Sequence, residues 1–243
     1  MAGFGFERPR QALGALTVRF ALFDLDGTLV DSAPGIASAL NKALSHHGFA
    51  EAPLAHVRTL LGGDAFALVN RAIRANGEGI SEDRAKTVVG SFLEIYSKAP
   101  AEGTALYPGA LEMLERLRAD GLRLGICTNK PTKTGHPVLT VFDLFPYFDA
   151  VSFGDSGPHK KPDGRHVLSA LSMMQAEPAA AVMIGDAAND IQAANDAGVR
   201  SVLVDFGYDA EGAMVASPTV VVDALEQLPE ILADLAPLEP VQN

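Results

Sequence analysis

Two aspartates one residue apart, in Asp24-Leu25-Asp26-Gly27-Thr28, stand at the end of an apolar run covering residues 18–25. In an extended strand, residues two apart share a face, so both carboxylates project together where the strand stops. Carboxylates that close repel one another unless a cation or a proton sits between them. Such a pair suits a hard cation of the Mg²⁺ kind, which takes oxygen ligands, and it leaves one carboxylate free to act as a nucleophile. An Asp-Gly turn with a helix-capping aspartate is the competing account of the same residues.

Three further strand ends carry polar groups. One apolar run ends in Thr128-Asn129-Lys130; another leads into Gly154-Asp155 and then Lys160-Lys161-Pro162; a third ends in Gly185-Asp186, with Asp190 four residues on. Singly, each has a plain explanation as a helix cap, a solvated lysine pair or a strand end. Jointly they would gather carboxylates, a hydroxyl-amide pair and an ammonium at one point. Carboxylates hold a metal, Thr and Asn donate to phosphate oxygens, and Lys meets developing negative charge, which suits a Mg²⁺-bound phosphoryl group.

The elements needed to bring these ends together are legible in the hydrophobic pattern. Short apolar runs at 18–25, 122–128, 150–153, 181–185, 201–205 and 219–222 alternate with helical spacing, as in Leu111, Leu114 and Leu117 or Val167, Leu168, Leu171 and Met174. Strands apolar on both faces and separated by helices predict an α/β fold with a doubly wound parallel sheet, whose binding crevice lies outside the C-terminal strand ends. Residues 34–104 interrupt the alternation. Ile36, Leu40 and Leu44, then Phe66, Val69 and Ile73, then Ala85, Val88, Phe92 and Tyr96 mark three amphipathic helices, the last with Ser81 as N-cap. An inserted all-helical cap over residues 34–104 is predicted, with the core formed by 17–33 and 105–243 and a loose extension over 1–16; a long crossover packed on the sheet is the alternative.

Composition narrows the function. The 243 residues carry a formal net charge of −11 and one cysteine, Cys127. The acidic balance argues against a nucleic-acid surface, and no apolar run approaches the length of a membrane span. The lone cysteine, inside an apolar strand, reads as a buried thiol in a reducing, cytoplasmic setting. The first sixteen residues lack the apolar stretch of a signal peptide.

The motifs 23–32 (Phe-Asp-Leu-Asp-Gly-Thr-Leu-Val-Asp-Ser), Thr128-Asn129-Lys130-Pro131, Lys161-Pro162 and Gly185-Asp186-x-x-Asn189-Asp190 resemble the four signatures of the haloacid dehalogenase superfamily. Within it the chain is similar to the phosphoglycolate phosphatase-like branch, over residues from about 20 to 235. That resemblance implies Asp24 as nucleophile, forming an aspartyl-phosphate, and Asp26 as the acid and base on the leaving oxygen and the water. It implies Thr128 and Lys161 on the transferring phosphoryl, with Asn129 beside them. Mg²⁺ would be held by Asp24, the backbone carbonyl of Asp26, Asp186 and Asp190. Asp26 argues against a dehalogenase, which needs no acid or base there. A sugar phosphomutase or sugar-phosphate phosphatase is the alternative within the superfamily, and an idle binding module the alternative outside it.

A small phosphorylated metabolite, foremost 2-phosphoglycolate, is the expected partner of a monomer or homodimer. Arg58, just before Leu61-Gly62-Gly63-Asp64, is the candidate for the substrate carboxylate, against a surface arginine. Gly135-His136-Pro137 departs from the family pattern: proline is tolerated in a first helical turn but not beyond it, so the helix after the second motif is predicted to start late, near His136.

Overall fold

A computed structural model describes residues 18–77 and 79–235, and the expected extension over 1–16 lies outside the described residues. Strand β1 (Phe20–Phe23) comes first. The two-residue β2 (Val30–Asp31) then leads into helices α1 (Ala33–His46), α2 (Leu54–Leu60), α3 (Ala65–Ala75) and α4 (Glu82–Lys98). Strand β3 (Ala105–Leu106) pairs antiparallel with β2 and brings the chain back. From there strands and helices alternate: α5 (Ala110–Ala119), β4 (Arg123–Cys127), α6 (Thr132–Val141), β5 (Ala150–Ser152), α7 (Gly164–Met173), β6 (Ala181–Gly185), α8 (Ala188–Asp196), β7 (Arg200–Val204), α9 (Ala210–Val215), β8 (Val220–Val222) and α10 (Leu228–Asp234).

The main sheet has the order β5-β4-β1-β6-β7-β8, and every neighbouring pair is parallel. The chain runs from β1 outward through β4 to β5, then crosses back to lay β6 on the other side of β1. The winding therefore reverses at β1, and the crevice of a doubly wound sheet opens at such a switch point. Asp24 is the first residue beyond β1.

Strand side chains alternate between two buried layers, as a period of two requires. Ala21, Phe23, Leu124, Ile126, Val182, Ile184, Val202 and Val204 pack on one face with Leu114 and Leu117 of α5, Leu139 of α6 and Leu228 and Leu232 of α10. Phe20, Leu22, Cys127, Ala181 and Met183 pack on the other with Val167 and Leu171 of α7 and Ala193 and Ala194 of α8. Cys127 is buried, and burial pushes its thiol up to about 12.

Helices α1–α4 bury a separate apolar cluster of their own, including Leu40, Leu44, Val57, Leu60, Val69, Ile73, Val88, Phe92 and Tyr96. Ser81 caps α4 by accepting from Arg84 N–H, and Asp64 caps α3 by accepting from Ala67 N–H at 2.7 Å. The sequence pattern shows three of these helices and misses α2, whose seven residues bury only Val57 and Leu60. It also puts Phe66 on the core face of α3. The structure leaves Phe66 37 % exposed, because Leu68, Val69, Ala72 and Ile73 fill the packed stripe.

Helix α6 corrects a second expectation. It begins at Thr132 and carries Pro137 in its interior. Its start is fixed from outside, by Asp155, whose Oδ1 accepts from both the Thr132 N–H (2.8 Å) and hydroxyl (2.6 Å). The first turn closes with Thr134 and Gly135 N–H both donating to the Pro131 carbonyl. Anchored there, and with Val138 and Leu139 buried on the sheet, the helix runs through its proline.

Candidate active site

At the switch point the chain turns sharply. Gly27 adopts φ +88°, and a Cβ at that position would fall 2.2 Å from a carboxylate oxygen of Asp186. The bare glycine lets the β1 turn touch the loop after β6. Asp186 is then fixed from two sides: Thr28 Oγ1 donates to its Oδ1 (3.0 Å) and Tyr208 N–H to its Oδ2 (2.8 Å). Gly207 permits the second close approach: a Cβ there would fall 2.1 Å from Asp186 Cβ. Gly207-Tyr208, which the resemblance to the haloacid dehalogenase superfamily includes, thus belongs to the site's scaffold.

Asp24, Asp186 and Asp190 each present an oxygen, and the three oxygens lie within 4.8 Å of one another. Burial, then repulsion from Asp190 and Asp24, pushes the Asp186 carboxyl well above the ordinary carboxylate range. Burial also raises Asp190, against the opposing pull of Lys161. Oδ1 of Asp24 is buried and, among the described residues, accepts no well-angled hydrogen bond. An all-oxygen set of crowded buried carboxylates fits a hard divalent cation.

Lys161 closes the other side. Its Nζ reaches Asp190 Oδ1 (2.6 Å), Asp24 Oδ1 (2.9 Å) and the Cys127 carbonyl (2.6 Å). Burial works against its charge, but Asp190 and Asp24 more than offset this and hold the ammonium above the usual lysine range. Asp190 spends one oxygen on Lys161 and the other on the Ala187 N–H (3.1 Å), so it both orients the lysine and caps α8.

The remaining expected residues divide. Thr128 is buried at the end of β4 and lines the cleft beside Asp24. Asn129 lines it too, but its carboxamide is engaged: it donates to the Lys161 carbonyl (2.8 Å) and accepts from the Lys161 N–H (2.9 Å). The side chain expected on phosphate is thus also the clasp that places Lys161, and this pairing uses one of its two amide N–H donors. Arg58 departs further. Its guanidinium takes both oxygens of Asp31 (3.0 and 2.5 Å) and does not line the cleft. Tyr208 Oη joins the same group, donating to Asp31 (3.0 Å) and accepting from the Ser32 and Ala33 N–H groups. The Asp26 side chain stands apart from the three-carboxylate cluster, paired with Lys130 (2.8 and 3.0 Å).

Two residues escape sequence reasoning. Lys130 sits within a quoted motif without a role, because its partner Asp26 is 104 positions away. Asn189 reads as a helix cap, yet it lines the cleft with a buried Oδ1 that has no partner among the described residues. The cleft measures about 670 Å³. Its floor is the carboxylate and lysine set, and its far wall comes from the helical unit through Phe66, Leu68, Phe92, Leu93 and Tyr96.

Comparison with known proteins points the same way. Residues 21–204 match the family model for haloacid dehalogenase-like hydrolases. A phosphoglycolate phosphatase of Caulobacter vibrioides is 38% identical over 221 residues, covering 91% of this chain and 93% of that protein. Phosphoglycolate phosphatase 1 of Pseudomonas aeruginosa is 37% identical over 214 residues, covering 86% and 78%. Among solved structures, a predicted phosphoglycolate phosphatase from Haemophilus somnus superposes with a TM-score of 0.79 at 31% identity, covering 88% of this chain and 97% of its own.

Proposed function

Since the chain belongs to the haloacid dehalogenase-like hydrolases and is a phosphatase of that family, we propose that it hydrolyses a small phosphomonoester, foremost 2-phosphoglycolate, through an aspartyl-phosphate and with Mg²⁺. The observation that carries this reading is the convergence of Asp24, Asp186 and Asp190 within 4.8 Å at the sheet's switch point, with the Lys161 ammonium against two of them.

Asp24 Oδ attacks phosphorus as the ester P–O bond breaks. Asp26 delivers a proton to the departing oxygen, then takes one from the water that attacks the acyl phosphate, releasing phosphate and restoring Asp24. Thr128 donates to the phosphoryl oxygens, and Lys161 meets their charge. Mg²⁺, held by Asp24, the Asp26 carbonyl and Asp186, with Asp190 alongside, would supply charge neutralisation on the phosphoryl group. The helical unit over the cleft acts as a cap that excludes water during transfer.

The substrate assignment rests on the named relatives and on the cations facing the cleft. Among the described lining residues these are Lys130, Lys160 and Lys161. Lys130 and Lys161 are paired to aspartates, so Lys160 is the group we assign to a leaving-group carboxylate, in place of Arg58. The test is phosphate release with Mg²⁺ from 2-phosphoglycolate and a panel of other small phosphomonoesters, in the unaltered protein and in Asp24→Asn. Loss of all Mg²⁺-dependent turnover in the variant is expected; undiminished turnover removes Asp24 as nucleophile.

A further inference from the structure

The cap and the catalytic floor are joined inside the cleft by one buried ammonium. Lys130 extends from the loop between β4 and α6, with its side chain only 4% exposed. Its three N–H bonds are fully used: two go to the oxygens of Asp26 (2.8 and 3.0 Å) and one to Tyr96 Oη (2.8 Å). A lysine ammonium has three donors and no acceptor, so this arrangement fixes both its position and its orientation. Tyr96 is fixed in turn. It lies in the apolar cluster of the helical unit and stacks on Phe92, one turn back on α4, with ring centroids 5.8 Å apart.

The chain of contact therefore runs from the cap's own core, through one hydroxyl and one ammonium, to the carboxyl that handles the proton. Asp26 has no comparable second support: among the described residues the only side chain that hydrogen-bonds its carboxylate is Lys130. Its side chain is 22% exposed and would otherwise be free to rotate in the cleft.

We propose that Lys130 is the positioning residue for Asp26, and that Tyr96 makes this positioning conditional on α4 being seated over the core. The inference rests on the reading of Asp26 as the group that protonates the leaving oxygen. With the cap seated, Tyr96 holds Lys130 and Lys130 holds the carboxyl on the leaving-group side of the cleft. With the cap lifted, the hydroxyl leaves and the lysine is free to swing, so proton delivery is restricted to the closed cleft.

Leaving-group dependence separates this role from a structural one. An alkyl phosphate such as 2-phosphoglycolate expels a strongly basic oxygen and needs the proton; p-nitrophenyl phosphate expels a weakly basic one and scarcely does. Lys130→Met and Tyr96→Phe keep the apolar stem and the stacked ring respectively. For Lys130→Met, kcat on 2-phosphoglycolate is expected to fall roughly 30- to 100-fold, within the range lost when a catalytic group is misplaced. The fall on p-nitrophenyl phosphate should be at least about tenfold smaller, with KM for both esters changed less than about twofold. Tyr96→Phe should show the same selectivity at about 3- to 10-fold, Lys130→Arg should recover part of the loss, and the double variant should be no worse than Lys130→Met alone.

Equal losses on both esters, a change in KM in place of kcat, or additive effects in the double variant would overturn the coupling while leaving the phosphatase reading intact. No phosphate release from either ester by the unaltered protein would overturn the phosphatase reading and this inference with it.

Discussion

Asp186 is held by its surroundings in a state that its own chemistry resists. It is 1% exposed and crowded by two other carboxylates, and it is kept there by Thr28, the Tyr208 backbone and two glycines that permit close approach. Its carboxyl is raised in the fold, so the folded protein holds this proton more tightly than the unfolded chain. The stability this contributes is complete below the ordinary carboxylate range and is lost as pH rises through the raised value. Asp186 is therefore expected to make the metal-free protein lose stability from pH 5 to pH 7.5, with Mg²⁺ removing most of that decline. His166, whose imidazole burial lowers to about 4, works the other way below pH ~6.5 and is retained in Asp186→Asn, so the decline is read as the difference between the two proteins. Asp31 has the opposite sign: burial is outweighed by Arg58 and Tyr208, which hold it low, so its contribution is lost only at more acidic pH and does not oppose this trend. Asp186→Asn should flatten the metal-free decline and abolish the stabilisation by Mg²⁺, about 2.7 kcal/mol at a hundredfold excess over Kd. Thermal unfolding with and without EDTA reads both; a steep decline that persists in the variant would assign the effect elsewhere.

At the scale of elements, α6 shows how tertiary anchoring outweighs local propensity. Proline in a helix interior removes one hydrogen bond and clashes with the carbonyl four residues back, at a cost of ~3 kcal/mol. Asp155 and Pro131 nevertheless start the helix five residues ahead of Pro137. Pro137→Ala should restore the missing bond to Lys133 and stabilise the protein by roughly 1–3 kcal/mol, less the ~0.4–1 kcal/mol by which proline restricts the unfolded chain. A urea midpoint that falls in this variant would show that α6 uses the proline. The long, strongly periodic helices α1, α3 and α4 are legible in the sequence, as are all six strands of the main sheet. The short α2 is not, because two buried positions make no period.

At the scale of the molecule, the helical unit and the rest of the fold meet at two polar points among the described residues. Inside the cleft, Tyr96 reaches Lys130; beside it, Arg58 of α2 grips Asp31 of β2 under the Tyr208 hydroxyl. The second point lies at the linker and not in the cleft, so Arg58→Ala is expected to act through cap placement. Its effect on KM should be similar, roughly 2- to 5-fold, for 2-phosphoglycolate and for an uncharged alkyl or sugar phosphate, with kcat moving as well, as changes near hinges do. Steady-state kinetics on the two substrates decide this, and a rise confined to the carboxylated ester would return Arg58 to the substrate.

The sequence by itself determined the parallel α/β sheet, the helical insertion and which carboxylates stand at the strand ends, because these follow from period, order and residue type along the chain. Asp24 and Asp26 sit two apart just beyond β1, and both line the cleft. Tertiary structure alone decided their different partners. Asp24 joins Asp186, Asp190 and Lys161, while Asp26 turns to Lys130 and, through it, to the cap. Asn129 and Arg58 show the same limit: a polar side chain near a site in sequence can serve the ligand, the backbone or a linker. Which of these holds depends on donors and acceptors brought from 27 to 32 residues away, a distance over which no local pattern carries information.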